Sequence, residues 1–255
     1  MRLLIKKIVN LKIIVFLRNI LNIRPKKSNI PHDFNPISIS DCFAWRTDCG
    51  FKTKFKYTDI LNLFLKVKNS WVEIHIYSKN NELLKVEKIK DLDLSNEFEI
   101  TAEYLNNLED YGVFYIYHFT DDTLEKNNAI LNRCYLGFSK NNSLYSYVHG
   151  NVTAKFTKIK RSKISSHITT RTSVFKECNY KIQKYFHEFD QNELFIANYT
   201  SKTIKFTVEN KNYKLYSGNS IIIQTLSPII NIVSNCYIRP TIFSYKKKFF
   251  DVHHG

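Results

Sequence analysis

Glycine is scarce in this chain: there are six in 255 residues, beside five prolines, two tryptophans and a single methionine. Loops that cradle phosphate need glycine at fixed spacings, and neither G-x-G-x-x-G nor G-x-x-x-x-G-K-[ST] occurs, which disfavours nucleotide binding by a standard loop. The G-x-S-x-G elbow of serine hydrolases is missing too, and none of the five cysteines sits in a recognisable protease context. H-E-x-x-H and H-x-H are absent, so no fixed spacing announces a metal site. There is no C-x-x-C pair and the number of cysteines is odd. A disulfide framework is therefore not indicated, and reduced thiols in a cytosolic setting are the simpler reading. Cys42 and Cys49 are close enough in sequence to bridge, but spacing alone does not decide it.

Long apolar runs are also lacking. About 20 predominantly apolar residues are needed to cross a bilayer, whereas the longest clean run in the N-terminal stretch is Ile13 to Leu17. Asn10 and Lys12 interrupt that stretch and no small-residue cleavage site follows, so it reads as neither a span nor a signal peptide.

Acidic residues are missing from two segments. Residues 1–30 hold Arg2, Lys6, Lys7, Lys12, Arg18, Arg24, Lys26 and Lys27, and residues 155–176 hold Lys155, Lys158, Lys160, Arg161, Lys163, Arg171 and Lys176. These fifteen cations account for the whole net charge of +15 and leave 23 basic residues to balance 23 acids. A polyanion-wrapping protein usually spreads its cations over a folded face. Two basic segments point instead to local contact with an anionic surface; nucleic acid is an unlikely partner, and a nucleic-acid-binding protein that uses residues 155–176 is the further alternative.

What is abundant is Lys, Asn, Ile, Phe and Tyr, a bias that AT-rich codons produce by themselves. Leu, Ile and Lys dominate residues 1–24, which predict a basic, largely apolar helix ended by Pro25. Its interspersed cations suit shallow insertion among anionic headgroups, with Lys6, Lys7, Lys12 and Arg18 as membrane contacts. The plainer alternative is a helix docked on its own or a partner's core. Residues 25–36, with three prolines, read as a linker.

From Ile37 the period changes to two. Phe51, Thr53, Phe55 and Tyr57 alternate with Lys52, Lys54 and Lys56, and Ile204, Phe206 and Val208 alternate with Lys205, Thr207 and Glu209. Ser78-Lys79-Asn80-Asn81, Ser139-Lys140-Asn141-Asn142 and Asn210-Lys211-Asn212 read as hairpin turns. Residues 101–110 are the best internal helix candidate. The expectation is an all-β protein of two antiparallel sandwich-like units, residues 37–154 and 177–255, joined by a basic linker or loop over 155–176 and preceded by the basic helix. Asn132–Leu136 leading to His149-Gly150, and Asn235–Ile238 leading to His253-His254-Gly255, hint at an internal duplication.

Histidine is the first candidate for chemistry. His118, His149, His253 and His254 fall near predicted strand ends, where a rigid scaffold presents functional side chains. Neutral imidazoles that converge can bind a divalent metal, which would make the protein a metal-dependent enzyme; a histidine beside an apolar strand can equally be structural. Asp251 and His253, at i and i+2, share a strand face and can act as a carboxylate-oriented base or as an exposed ionic pair. Asp41, Arg46 and Asp48 surround Trp45, a grouping that suits a sugar ring and its hydroxyls unless Trp45 is core and Arg46 pairs with Asp48. Arg133 and Arg239 can each grip an acidic ligand or pair locally. The leading expectation is a peripheral membrane protein on the cytoplasmic face that binds or processes a polar ligand such as an envelope carbohydrate.

Overall fold

The computed structural model describes residues 38–124, 130–132, 134–150, 153–156, 167–168, 172, 177–183, 189–227, 229–247 and 249–255, with single positions between 8 and 17. The expected helix over 1–24, including Lys6, Lys7, Lys12 and Arg18, lies outside the described residues apart from those single positions. The linker 25–36, Arg133 and most of 155–176 lie outside them as well.

Strand alternation in the sequence becomes strand pairing. In chain order the first half contains β1 (Ser38–Asp41), β2 (Phe43–Arg46), β3 (Phe51–Tyr57), a short helix α1 (Ile60–Leu65), β4 (Ser70–Ser78), β5 (Leu83–Ile89), β6 (Asn96–Ile100), β7 (Tyr111–Thr120), β8 (Ile130–Asn132), β9 (Tyr135–Lys140), β10 (Ser146–His149), β11 (Thr153–Phe156) and β12 (His167–Ile168). The second half contains β13 (Cys178–Gln183), β14 (Gln191–Ala197), β15 (Ile204–Val208), β16 (Lys211–Leu215), β17 (Ser220–Thr225), β18 (Ile229–Ser234), β19 (Thr241–Lys246) and β20 (Phe249–His254).

They form five four-stranded sheets, ordered β12-β11-β1-β8, β2-β7-β4-β5, β10-β9-β3-β6, β13-β18-β15-β16 and β17-β14-β19-β20. Among the described strands every pairing is antiparallel except that of β1 with β8. β11 and β12 fall largely within 155–176, the segment read from sequence as a linker or loop; β11 pairs with β1, and β12 pairs with β11. Beside β7, β1 substitutes serine hydroxyls for ladder carbonyls: Ser40 Oγ accepts from the Ile116 N–H at 3.0 Å and Ser38 Oγ from that of His118 at 3.1 Å.

The alternation of β3 buries Phe51, Phe55 and Tyr57 on one face of its sheet and leaves the lysines on the other. Phe55 packs edge-on against Phe43 of β2 and Phe114 of β7, with ring centroids 4.8 and 4.9 Å apart, which closes the first sandwich. Phe51 and Phe138 of β9, from the same sheet, instead meet Phe243 of β19 at 5.6 and 4.9 Å. Such pairs contribute about 0.5–1.5 kcal/mol each beyond area burial. One aromatic core therefore runs across both halves of the chain.

The sheet β17-β14-β19-β20 makes this continuity possible because both of its faces are covered. Phe195, Phe243 and Val252 belong to the shared aromatic core, while their neighbours Leu194, Ile196 and Ile242 point into an aliphatic core against β13-β18-β15-β16. A strand buried on both faces reads as an unbroken apolar run rather than an alternation, and Leu194-Phe195-Ile196-Ala197 does so.

Two asparagine turns appear as expected, with Asn81, Asn141 and Asn142 at positive φ, whereas the turn expected over Asn210-Lys211-Asn212 is Glu209–Asn210, both at positive φ, with Lys211 and Asn212 already paired in β16. The helix expected over 101–110 is only a 3-10 turn, Glu103–Leu105, because Asn106 and Asn107 both adopt left-handed φ and stop it. α1 was not expected from the sequence. Asp59 caps it by accepting from the Leu61 and Asn62 N–H groups, and Ser70 Oγ donates to the same carboxylate at 2.6 Å. Among the described residues no helix is long and apolar enough to cross a membrane.

Candidate functional site

The four histidines do not form one centre. His118 on β7 has no exposed surface, and both of its ring nitrogens are engaged: Nε2 donates to the Thr58 carbonyl at 3.1 Å, and Nδ1 accepts from Asn132 Nδ2 at 3.2 Å. Those partners fix the neutral tautomer, and Cys134 Sγ donates to Asn132 Oδ1 at 2.6 Å behind it. Burial pushes the His118 imidazole down to about 4 and the Cys134 thiol well up. This chain of bonds ties β7 and β8 to the start of α1, with nothing left over for a metal.

The other three histidines lie where β10 and β20 run side by side. His254 Nε2 donates to the His149 carbonyl at 2.8 Å, so the ends of the two histidine-glycine stretches do meet, but through backbone. Burial lowers His254 to about 4, helped by nearby Arg239 and His149. The His253 ring lies 3.9 Å from Asp251, too far for a hydrogen bond. Asp251 is held by Ser146 Oγ at 2.7 Å instead. Arg239 Nε reaches the Gly255 carbonyl at 3.4 Å. Among the described residues no group of three or more His, Cys, Asp or Glu is arranged to hold a metal ion. The duplication signal weakens here too: Tyr135 opens β9, whereas Cys236–Ile238 precede β19 without forming a strand.

The cluster around Trp45 is interior. Trp45 has no exposed surface and its Nε1 donates to the Tyr77 carbonyl at 2.8 Å, so no sugar ring can stack on it. Arg46, 2% exposed, forks onto Asp48 at 2.9 and 2.7 Å and donates to Glu193 at 2.6 Å. Its guanidinium packs against both the Phe51 and Phe243 rings, 4.3 and 4.7 Å from their centroids, on one side of that edge-on pair. Asp41 is also buried, at the end of β1. Arg46 joins the two halves of the protein instead of facing a ligand.

Open space lies elsewhere. A groove of about 730 Å³ runs over β15 and β16, lined by Lys202, Lys205, Thr207, Asn212, Lys214 and Asn235 together with Thr172, the carboxylate of Glu177 and apolar surface from Phe206, Tyr213 and Val233. The β15–β16 register sets Lys205 directly opposite Lys214. Like charges directly opposite on neighbouring strands are destabilising, and among the described residues none of Lys202, Lys205 and Lys214 has an ion-pair partner. Behind them Phe206 and Tyr213 stack at 5.3 Å and hold the floor rigid. The sequence placed Lys205 and Thr207 on a polar strand face, but no motif marked them as a site.

No family model matches the chain, and no curated protein does. Among solved structures, the CUB1-EGF-CUB2 domains of rat MASP-1 align with 85% of this chain and 95% of that one, at 14% identity and a TM-score of 0.19. An overlap that low carries no argument about fold or function.

Proposed function

We propose that this β-sandwich protein binds a polar, negatively charged ligand, such as an acidic envelope carbohydrate, in the groove over β15 and β16. The observation that carries this reading is the opposed, unpaired couple Lys205 and Lys214 with Lys202 beside it. An anion bridging them converts a repulsive arrangement into charge-assisted hydrogen bonds, while Thr207, Asn212 and Asn235 supply donors and acceptors suited to hydroxyl groups. Calorimetric titration with oligosaccharides containing uronic acid, against their neutral parents, tests the ligand class. Acidic sugars should bind and neutral ones should not, and Lys205→Ala or Lys214→Ala should each weaken binding about tenfold or more. Equal binding of neutral sugars, or unchanged affinity in both variants, would count against the groove.

The same reading places the protein at the cytoplasmic face of an anionic membrane, supported by the acid-free run of cations in residues 1–30. Each cation near such a surface contributes about 1 kcal/mol. Changing Lys6, Lys7, Lys12 and Arg18 together to glutamate in the full chain should abolish co-sedimentation with phosphatidylserine vesicles. Retained sedimentation would remove the membrane assignment.

A further inference from the structure

Among the described residues the three most exposed large apolar side chains are Leu144 at 93%, Phe249 at 77% and Leu226 at 74%. They belong to three different connections, β9–β10, β19–β20 and β17–β18. Strand register nevertheless gathers them at one end of the molecule. Thr225 and Ser244 both stand opposite Asn192, so β17 and β19 run out together, and Phe249 faces Lys246 where β20 returns. Ser146 bonds to Asp251 and His254 to the His149 carbonyl, both pairs 105 residues apart, so β10 and β20 advance in step. Leu144, just before Ser146, is therefore level with Phe249, just before Asp251. Lys140, in the same turn as Leu144, lies 4.7 Å from the ring of Tyr245 beside Lys246.

Local bonding holds these side chains outward. Phe250 is fixed against Phe51 at 5.4 Å, which turns Phe249 to the other face of β20. The loop that carries Leu226 is closed by the Ser227 N–H donating to Thr225 Oγ1 at 3.1 Å and by Ser227 Oγ donating to the Ile229 carbonyl at 2.6 Å. Lys140, Lys211, Lys246 and Lys247 stand around the apolar tips, with Lys248 next in sequence. The acids there are Asp190 and Glu209, and each already accepts a hydrogen bond, from the Lys247 N–H at 3.3 Å and from Thr225 Oγ1 at 2.6 Å. Cations therefore outnumber acids at this end.

We infer that this end docks on an anionic bilayer, inserting Leu144, Leu226 and Phe249 among the headgroups while Lys140, Lys211, Lys246 and Lys247 meet their negative charge. Exposed apolar groups of this kind mark interaction surfaces, and apolar tips ringed by cations suit the membrane interface. Strand spacing across β14 and β19 sets Leu226 and Phe249 on the order of 14 Å apart, which fits a flat surface better than a small ligand. The inference rests on the membrane reading above and adds a contact made by the folded part of the chain. Asn212 of the groove follows Lys211 directly, so docking by this end holds the groove beside the bilayer.

Phe249→Trp in the full-length protein, read by tryptophan emission on phosphatidylserine vesicles with brominated acyl chains, tests the docking. The added emission should fall about twofold or more relative to unbrominated vesicles. That of Phe64→Trp, exposed on α1 beyond the other end of β3, should not change. Leu144→Ser/Leu226→Ser/Phe249→Ser alters only exposed side chains, so it should keep the circular dichroism spectrum while weakening vesicle binding about tenfold or more. Vesicle binding by the wild type with no quenching at position 249 and full affinity in the serine variant overturns the docking and leaves the contact by residues 1–30 standing. No binding by the wild type removes both. Dimerisation that the serine variant abolishes, without quenching at position 249, assigns this end to a second copy of the chain and likewise overturns the docking.

Discussion

Replacing Arg46 with alanine is expected to cost about 3–5 kcal/mol and to weaken both halves of the protein together. Breaking a buried ion pair by removing one partner leaves the other charge without compensation, which is where a penalty of that size comes from. Here two carboxylates would be stranded, Glu193 at 13% and Asp48 at 21% side-chain exposure. Two aromatic rings would lose the cation packed against them. Arg46 belongs to β2 and Glu193 to β14, so the loss falls on the contact between the halves. In a chain of this size the melting temperature should drop by about 10 °C. Arg46→Lys should recover only a small part, because an ammonium can neither fork onto Asp48 nor reproduce the guanidinium's packing against the Phe51 and Phe243 rings. A double-mutant cycle with Glu193→Gln should give a coupling of more than about 1 kcal/mol. A drop below 1 kcal/mol for Arg46→Ala would show that the ion pair is dispensable.

Mild acid is expected to produce the other large loss. His118 is held neutral and its folded pKa, about 4, lies below its ordinary value of 6.5. Below pH 6.5 the unfolded chain therefore binds a proton that the folded one refuses. Stability is complete above about pH 6.5 and declines as pH falls toward 4, by up to about 3 kcal/mol for a gap of this size. His254 is lowered to the same value and acts in the same direction, with His75 and His253 adding to it. Urea unfolding at pH 7.0 and 4.5 measures the sum. His118→Gln, which keeps a donor for the Thr58 carbonyl, should flatten the profile even if it lowers stability at pH 7. A profile as steep as wild type would place the titration elsewhere.

Strand positions were legible because alternation survives wherever one face meets water, as in Phe51–Tyr57 and Ile204–Val208. Asparagine turns were legible because positive φ has few residue solutions. Of the grouping Asp41, Trp45, Arg46 and Asp48, the structure pairs Arg46 with Asp48 and buries Trp45, and their role depended on which sheet lands on them. A buried arginine and a ligand-gripping one have the same local sequence, and Glu193 is 147 residues away. The groove depended on register. Centring the turn on Lys211, as the sequence suggests, leaves Lys214 opposite Val208. The actual turn, Glu209–Asn210, has both residues at positive φ and sets Lys214 against Lys205. That offset decides whether an opposed lysine pair exists. Whether the two histidine-glycine ends meet was not legible in the sequence; they do, and a backbone carbonyl joins them.

Titrating a uronic acid oligosaccharide into the full-length protein, into Lys205→Ala/Lys214→Ala, and into His149→Ala/His253→Ala/His254→Ala separates the groove from the histidine end. The account predicts that the lysine variant loses binding by about a hundredfold or more while the histidine variant binds as wild type does. Full affinity in the lysine variant with loss in the histidine variant would contradict it.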